Sequence, residues 1–337
     1  MSVGMSKVWD LGEKGTIALL ASIATDCGVA FREGLLFGIG DDAAAWRGED
    51  GLVLGTIDTL TQDVHFTPDT AGWDEIGWKS MAVNISDIAA MGGIPDYALV
   101  SLGLSGDMEV ADLAKFYGGL ADAARRFKVA IAGGNLYRSL GLTATVSLLG
   151  RASEGGIMTR SSALPGDYIA VTGYLGSSAA GLKSLTGSLQ SDADTAALIK
   201  EAHLRPHPRV DEGQALARCG VRTAIDLSDG LISDLGQVCR ASEVGARILV
   251  DTLPVHPLVR KELADDLPGL ALSGGEDYEL LFTAKAQVID RVMSLISVPV
   301  TVIGQVTGEA PGEIALIDSS GGLLKYEGSG WDHFGAG

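Results

Sequence analysis

Gly38-Ile39-Gly40-Asp41-Asp42-Ala43 is the stretch that separates two fold classes. It fits the relaxed GxGxxA fingerprint of a dinucleotide-binding turn, and Asp58 follows at about the distance of a ribose-binding acid. Such a turn must open a helix of several turns, whereas Gly48 and Gly51 interrupt this chain too soon. Two adjacent carboxylates also stand where a pyrophosphate would approach, and like charges forbid that without a metal. The dinucleotide reading fails, and the aspartates become the feature to explain.

Outward from that stretch the same pattern recurs. Asp58 ends Gly55-Thr56-Ile57-Asp58, Asp87 lies in Asn84-Ile85-Ser86-Asp87, and Asp226 and Asp229 bracket Leu227-Ser228. Glu276 and Asp277 follow Gly274-Gly275. Their neighbours are small or apolar, where a carboxylate is costly unless paired or metal-bound. Singly, each has a plain structural role open to it, as a helix cap, a turn residue or, for Asp87, a salt bridge to Lys79. Together, without cysteine or histidine partners, they match a hard oxygen-preferring ion. Mg²⁺ bridging carboxylates to substrate phosphates is the expected chemistry. A second glycine-rich stretch, from Gly176 to Ser184, has one residue too many between Gly181 and Lys183 for a P-loop. That insertion turns the ammonium by about 100° on a helix. The spacing predicts instead a glycine-started helix packed closely on a sheet.

The whole chain supports real cores. It has 337 residues, 46% hydrophobic and 20% charged, so two domains are expected. Lys and Arg number 25 against 43 Asp and Glu, a net charge of −18 that opposes nucleic acid and anionic membranes as partners. Cys27, Cys219 and Cys239 form no CxxC pair and are expected as buried free thiols. No signal peptide or membrane-spanning run is legible, so a cytoplasmic location is expected. The periodicity predicts helices over 6–30 (Ile17, Leu20, Ile23 and Ala24 on one face), 74–91, 109–127 capped by Asp107, and 176–186. Further helices are expected through Leu198–His203 and over 209–219, 230–242, 256–267 and 286–296. Strands are expected at Leu35–Ile39, Leu52–Ile57, Tyr97–Leu104, Leu142–Leu149, Tyr168–Thr172, Ala246–Val250, Leu280–Thr283, Val300–Ile303 and Ile314–Ile317. The fold class is α/β or α+β, with two domains over 1–150 and 151–337.

The motifs GIGDDAA, DTLTQDVHF, KSMAVNISDIAAMGGIP, RSSALPGDYIAVTG, SAAGL, HLRPHPRV, AIDLSDGLISDLG, GARI, SGGEDYELLFT and GWDHF occur in that order. With them the chain closely resembles the thiamine-monophosphate kinase family, within the AIR synthetase and selenophosphate synthetase superfamily. The likeness runs from about Gly38 to Phe334. It implies a two-domain AIR-synthetase-like fold and a homodimer formed through the N-terminal sheets. The implied reaction passes phosphate in line from ATP to thiamine monophosphate, with several Mg²⁺ ions. Carried over by position, Asp42, Asp58, Asp87 and Asp226 are the main metal ligands, Asp229 holds a further ion, and Thr56 and Ile57 flank them. Tyr117, Gly134, Asn135, Arg160 and Ser228 match nucleotide-contacting positions, and His65, Glu276 and Trp331 match substrate-holding ones. Two departures stand out. Asn135 replaces an aspartate common in the family and removes a charge from the metal set. Ile57 replaces a hydroxyl residue and leaves only its carbonyl for a metal. The competing implications are another ATP-using enzyme of the superfamily, or an ATP-binding maturation protein without turnover.

Overall fold

The computed structural model describes residues 8–27, 33–263, 267–326 and 328. Helix α1 (Val8–Asp26) leads into β1 (Leu35–Phe37), β2 (Ala44–Gly48), β3 (Gly51–Thr61), α2 (Trp73–Ala90), β4 (Gly93–Leu104), α3 (Val110–Arg126), β5 (Ala130–Arg138) and β6 (Thr143–Ala152). These strands form a six-stranded sheet in the order β1-β2-β3-β6-β4-β5. Only β4 and β5 pair in parallel, because α3 carries the chain back across the sheet between them.

The second half runs β7 (Tyr168–Thr172), α4 (Ser177–Leu185), α5 (Ala193–Leu204), α6 (Val210–Cys219), β8 (Thr223–Asp226), α7 (Leu231–Ala241) and β9 (Gly245–Leu249). It continues through α8 (Pro257–Glu262), α9 (Leu267–Ser273), β10 (Leu280–Ala284), α10 (Ala286–Leu295), β11 (Val300–Thr307), β12 (Ile314–Ile317) and β13 (Leu323–Leu324). Its seven strands are ordered β13-β12-β9-β11-β7-β10-β8, so β8 is an edge strand and Asp226 ends it.

Helix α2 is the element that positions the site. It is buried almost all round, including Met81, Ile85 and Ile88, because it lies between the first sheet and the second half of the chain. Its crossing with α3 is close. A Cβ on Gly77 would fall 1.9 Å from the carbonyl oxygen of Phe116, and one on Gly119 would fall 1.8 Å from that of Asp74. Only glycine fits at either point, and Phe116 and Leu120 are fully buried beside them. Truncating Phe116 to alanine would cost about 3–5 kcal/mol. At its C-terminal end Ala90 joins a core cluster with Met158, Leu216 and Phe282, so the two halves share apolar packing.

Several expectations change. Gly38–Ala43 opens no helix of any length: Gly40 has φ +122° and the chain passes directly into β2. Asp107 does not cap α3. Glu109 takes that place without a side-chain bond, while the Asp107 N–H is held by Ser105 Oγ. The helix expected over 256–267 is two: α8 ends at Glu262 and α9 begins at Leu267. Ile17, Leu20 and Ile23, on the apolar face of α1, are 44%, 56% and 48% exposed. Lys14 Nζ donates to Ser233 Oγ at 2.8 Å, a polar tie from α1 to the second half of the chain. Cys219 and Cys239 are buried thiols as expected, but Cys27 is exposed on that same segment. Among the described residues no helix is long and apolar enough to cross a membrane.

Candidate active site

Three elements deliver one carboxylate each to a single point. Asp42 comes from the loop before β2, Asp87 from the last turn of α2, and Asp226 from the end of β8. Their nearest oxygens all lie within 4.8 Å of one another. The second half of the chain thus completes a cluster begun by the first. Hydroxyls fix two of the three: Thr56 Oγ1 donates to Asp87 Oδ2 at 2.5 Å, and Ser86 Oγ donates to Asp226 Oδ2 at 2.6 Å. Asn84, one residue before Ile85 and Ser86, accepts the Asp58 N–H at 3.0 Å, which pins the end of β3 to α2.

This is an electrostatically unfavourable assembly. Burial first, then Asp58, Asp226 and Asp42, push the Asp87 carboxyl well above its ordinary range. Burial and Asp42 push Asp226 up to about 8 despite the Ser86 bond. Burial and Asp42 likewise raise Asp41, to about 6. An all-oxygen set with surplus negative charge suits a hard divalent cation, so the residues fit Mg²⁺.

Arg160 is the positive group built into the cluster. Its Nη2 and Nε donate to the two Asp42 oxygens at 2.6 and 3.3 Å. Its Nη1 donates to Gln237 Oε1 at 2.7 Å, and Gln237 Nε2 in turn donates to Asp234 Oδ1 at 3.3 Å. Asp234 Oδ2 accepts the N–H groups of Asp229 and Gly230, both at 3.1 Å. One chain of bonds therefore runs from Asp42 through Arg160 and Gln237 to the turn that carries Ser228 and Asp229.

Beside the carboxylates lies a cleft of roughly 180 Å³, walled by Leu60, Phe66, Ile76, Leu182 and Leu204. Its polar lining includes His65, Lys79, His203 and Glu276, with Asp63, Thr67, Thr70, Glu75 and Thr186 beside them. Lys79 Nζ lies 2.7 Å from Glu276 Oε1, and His203 Nδ1 lies 3.3 Å from Glu276 Oε2. Burial alone would raise Glu276, yet Lys79 and His203, with His65 beyond, hold its carboxyl below the ordinary value. Burial and then Lys79 push His203 down to about 4, so its ring is neutral near pH 7. A carboxylate only accepts, which places the ring proton on Nδ1 between Glu276 and Ser178 Oγ, 3.0 Å away. His65 Nδ1 accepts the Thr61 N–H at 2.9 Å, which leaves its proton on Nε2. Glu276 has φ +64°, an uncommon conformation for a side-chain-bearing residue, and its N–H is held by Ser228 O at 2.8 Å.

The structure gathers Asp42, Thr56, Asp58, Asp87, Asp226 and Arg160 at one place, and His65 with Glu276 at the cleft. Asp229 lies in the turn after β8, outside the converging trio. Ile57 is 63% exposed on the face of the sheet opposite α2. Tyr117 is exposed on α3, while Gly134 and Asn135 lie on edge strand β5, three strands from β3, or roughly 14 Å. Trp331 lies outside the described residues. Sequence reasoning missed Ser86, Asn84, Gln237, Asp234, Lys79 and His203 as working parts. The available signal was polar side chains in helices otherwise apolar on every side: Lys79, Asn84 and Ser86 are all buried in α2.

The near P-loop is closed to phosphate. Asp277 accepts the N–H groups of Gly176 and Ser178 at 2.7 and 3.3 Å and so occupies the α4 N-terminus with its own carboxylate. Gly181 permits close packing, but on α5 rather than a sheet: a Cβ there would meet Ile199 O at 2.0 Å. Asp87 pairs with Thr56 rather than with Lys79, which is taken by Glu276.

Comparison with known proteins agrees over most of the chain. Residues 40–152 match the family model for the N-terminal domain of AIR synthase related protein, and residues 165–317 match that for its C-terminal domain. The thiamine-monophosphate kinase of Escherichia coli strain K12 is 41% identical over 303 residues, covering 88% of this chain and 91% of its own. That of Bacillus subtilis strain 168 is 36% identical, covering 88% and 93%. The solved structure "AaThiL complexed with AMPPCP and TMP" superposes with a TM-score of 0.85 at 30% identity, covering 98% of this chain and 99% of that one.

Proposed function

This chain belongs to the thiamine-monophosphate kinase family, built from the two AIR synthase related domains, and from that premise we propose that it phosphorylates thiamine monophosphate with ATP to give thiamine diphosphate and ADP. The observation that carries the mechanism is the convergence of Asp42, Asp87 and Asp226, from both halves of the chain, beside the Glu276 cleft. In the reaction an anionic phosphate oxygen of the acceptor attacks the γ-phosphorus. The bond to the β,γ-bridging oxygen breaks, and that oxygen leaves on ADP. An acceptor phosphate ester already carries anionic oxygens near pH 7, so no side chain has to remove a proton. Bound Mg²⁺ neutralises charge on the transferring and leaving oxygens.

The chain's own residues bring the two anions together. Asp42, Asp87 and Asp226 hold the metal, with Asp58 adjoining and Asp229 placed for a further ion. Thr56 and Ser86 orient their carboxylates, and Thr56 and Ile57 flank the metal on β3. Arg160, aligned by Gln237, offers a guanidinium for phosphate oxygens. Tyr117, Gly134, Asn135 and Ser228 complete the nucleotide contacts, and His65 Nε2–H, Glu276 and Trp331 hold the acceptor. The division near residue 150 separates the two domains, and a cytoplasmic location accords with both substrates. A homodimer through the first sheet accounts for Ile57, Leu149, Tyr97 and Leu99, which share the face away from α2 and are 63%, 37%, 57% and 49% exposed.

Incubation with Mg-ATP and thiamine monophosphate tests the assignment. Equal amounts of ADP and thiamine diphosphate are expected, with free thiamine a poor acceptor. ATP turnover independent of acceptor, or fast phosphorylation of thiamine itself, would sink it.

A further inference from the structure

The connector Arg205-Pro206-His207-Pro208-Arg209 joins α5 to α6 outside both the carboxylate cluster and the cleft, yet it is tied to each half of the chain. Arg205 pairs with Asp74 at the start of α2, and the Pro206 carbonyl accepts the Trp78 Nε1–H at 2.8 Å. The two prolines fix φ at their positions and stiffen the connector. At its far end Arg209 grips Glu279, the residue before β10. Its Nε and Nη2 donate to the two carboxylate oxygens at 2.7 and 2.5 Å. Glu279 is 5% exposed and takes a third bond from Thr172 Oγ1 at 2.7 Å, and that hydroxyl accepts the Leu280 N–H at 2.8 Å. Gly173, with φ +58°, makes the room, because a Cβ there would fall 1.8 Å from Glu279 Oε1.

Both ends of this ion pair reach the carboxylate cluster by short, rigid routes. The Glu279 carbonyl accepts the Leu227 N–H at 2.9 Å, and Leu280 faces Asp226 across β10 and β8. On the other side Arg209 immediately precedes α6, and its carbonyl accepts the Gly213 N–H at 2.7 Å. Gly213 in turn lies against α2. A Cβ on it would fall 2.1 Å from the carbonyl oxygen of Ala89, two residues past Asp87. The path from Asp87 to Asp226 is thus one turn of α6, a two-point ion pair and a strand pairing, none of which has much play. Resting on the reading that the cluster holds Mg²⁺, the geometry points to Arg209 and Glu279 as a positioning pair. Together they set the distance between Asp87 in the first half and Asp226 in the second, and so fit the cluster to its ion.

Mn²⁺ binding to the full chain without nucleotide, counted by the loss of the free-ion paramagnetic resonance signal, reads the cluster apart from turnover. Arg209→Met or Glu279→Leu alone strands a buried charge. Each should lower the melting temperature by about 5 °C or more, and Mn²⁺ affinity by about tenfold to 100-fold. The double variant puts two apolar side chains of similar size in place of the pair. It should recover most of the melting temperature, since no charge is left unpaired. Apolar contact has no direction, so its Mn²⁺ affinity should stay about tenfold or more below wild type. A double variant that recovers ion affinity together with stability overturns the inference and leaves the pair a purely structural one. Single variants with wild-type affinity overturn it too, as does a double variant no more stable than the single ones, because stability and placement would then be one property. Mn²⁺ binding undiminished in Asp226→Asn would take the ion out of the cluster and overturn both the metal reading and this inference. Ion binding that follows the expected order in a chain that transfers no phosphate would instead leave this inference standing and overturn the proposed reaction.

Discussion

Two groups of buried charge lie along one helix, about two turns apart, and they obey opposite rules. Near the C-terminal end of α2, Asp87 meets Asp42 and Asp226 with only Arg160 to offset them, and the pKa values of Asp87 and Asp226 rise. Near the middle of the helix, Lys79 meets Glu276 and a neutral histidine, and the pKa of Glu276 falls. A cluster in which like charges repel is incomplete without a cation from outside. A pair that neutralises itself needs no such cation.

The contrast breaks most sharply if the repelling carboxylates prove dispensable. Asp87→Asn and Asp226→Asn are each expected to lower thiamine diphosphate formation by about 10³-fold or more. Relief of repulsion should at the same time raise the metal-free melting temperature by about 2 °C or more. Activity near wild type at low Mg²⁺, or a fall in melting temperature, would contradict the repulsive cluster.

Stability against pH should also differ in sign between the two groups. Asp87 and Asp226 have folded pKa values raised above the unfolded ones. Their contribution is fully present below about pH 4 and is lost as pH climbs toward 8, on the order of a few kcal/mol in chelator. Mg²⁺ should abolish that loss. Glu276 is shifted downward, so its contribution is present above its unfolded pKa and is lost as pH falls through the folded one. Denaturant unfolding from pH 3 to 8 checks both limbs, with Asp226→Asn flattening the upper one and Glu276→Gln the lower.

Gln237→Met removes two hydrogen bonds at nearly constant volume. It should raise KM for ATP by about tenfold through misalignment of Arg160, while leaving KM for thiamine monophosphate within about twofold. Equal rises in both constants would mean a general loosening instead. The smallest effect is expected at Asn135, exposed on the far edge strand. Asn135→Asp should lower the Mg²⁺ concentration for half-maximal rate by less than about fivefold. Superimposable Mg²⁺ titrations would show that Asn135 touches no ion.

Much of this was legible in the sequence where a residue conflicts with its own surroundings. Asp87 and Asp226 are carboxylates in apolar runs, and no local role explains both. The helices over 209–219 and 286–296 follow from periodicity alone, because each packs one persistent apolar surface, whereas 74–91 is legible by its length and its apolar content. Strands β2, β5 and β8 were not legible. β5 contains Gly133-Gly134, which looks like a turn until its parallel pairing with β4 supplies the hydrogen bonds. β8 is only four residues long and owes its conformation to β10. His203 escaped notice, and Lys79 was matched with Asp87 instead of Glu276, for a related reason. Each is an ordinary polar residue in a helix, and its function exists only once Glu276, far along the chain, arrives beside it.

Helix α2 has one further consequence, a matter of length. Lys79 and Asp87 stand on the same rigid rod, eight residues apart. At about 1.5 Å per residue they are roughly 12 Å apart along the axis, and 100° per residue brings them back to within about 80° of the same side. The rod therefore works as a gauge. One mark stands at the Glu276 cleft and the other at the carboxylate cluster, so under the proposed function an acceptor would be sorted by the distance between its two ends as well as by its chemistry. An ester with the right ring and a tether one or two atoms too long would enter the cleft and present its phosphate past the mark.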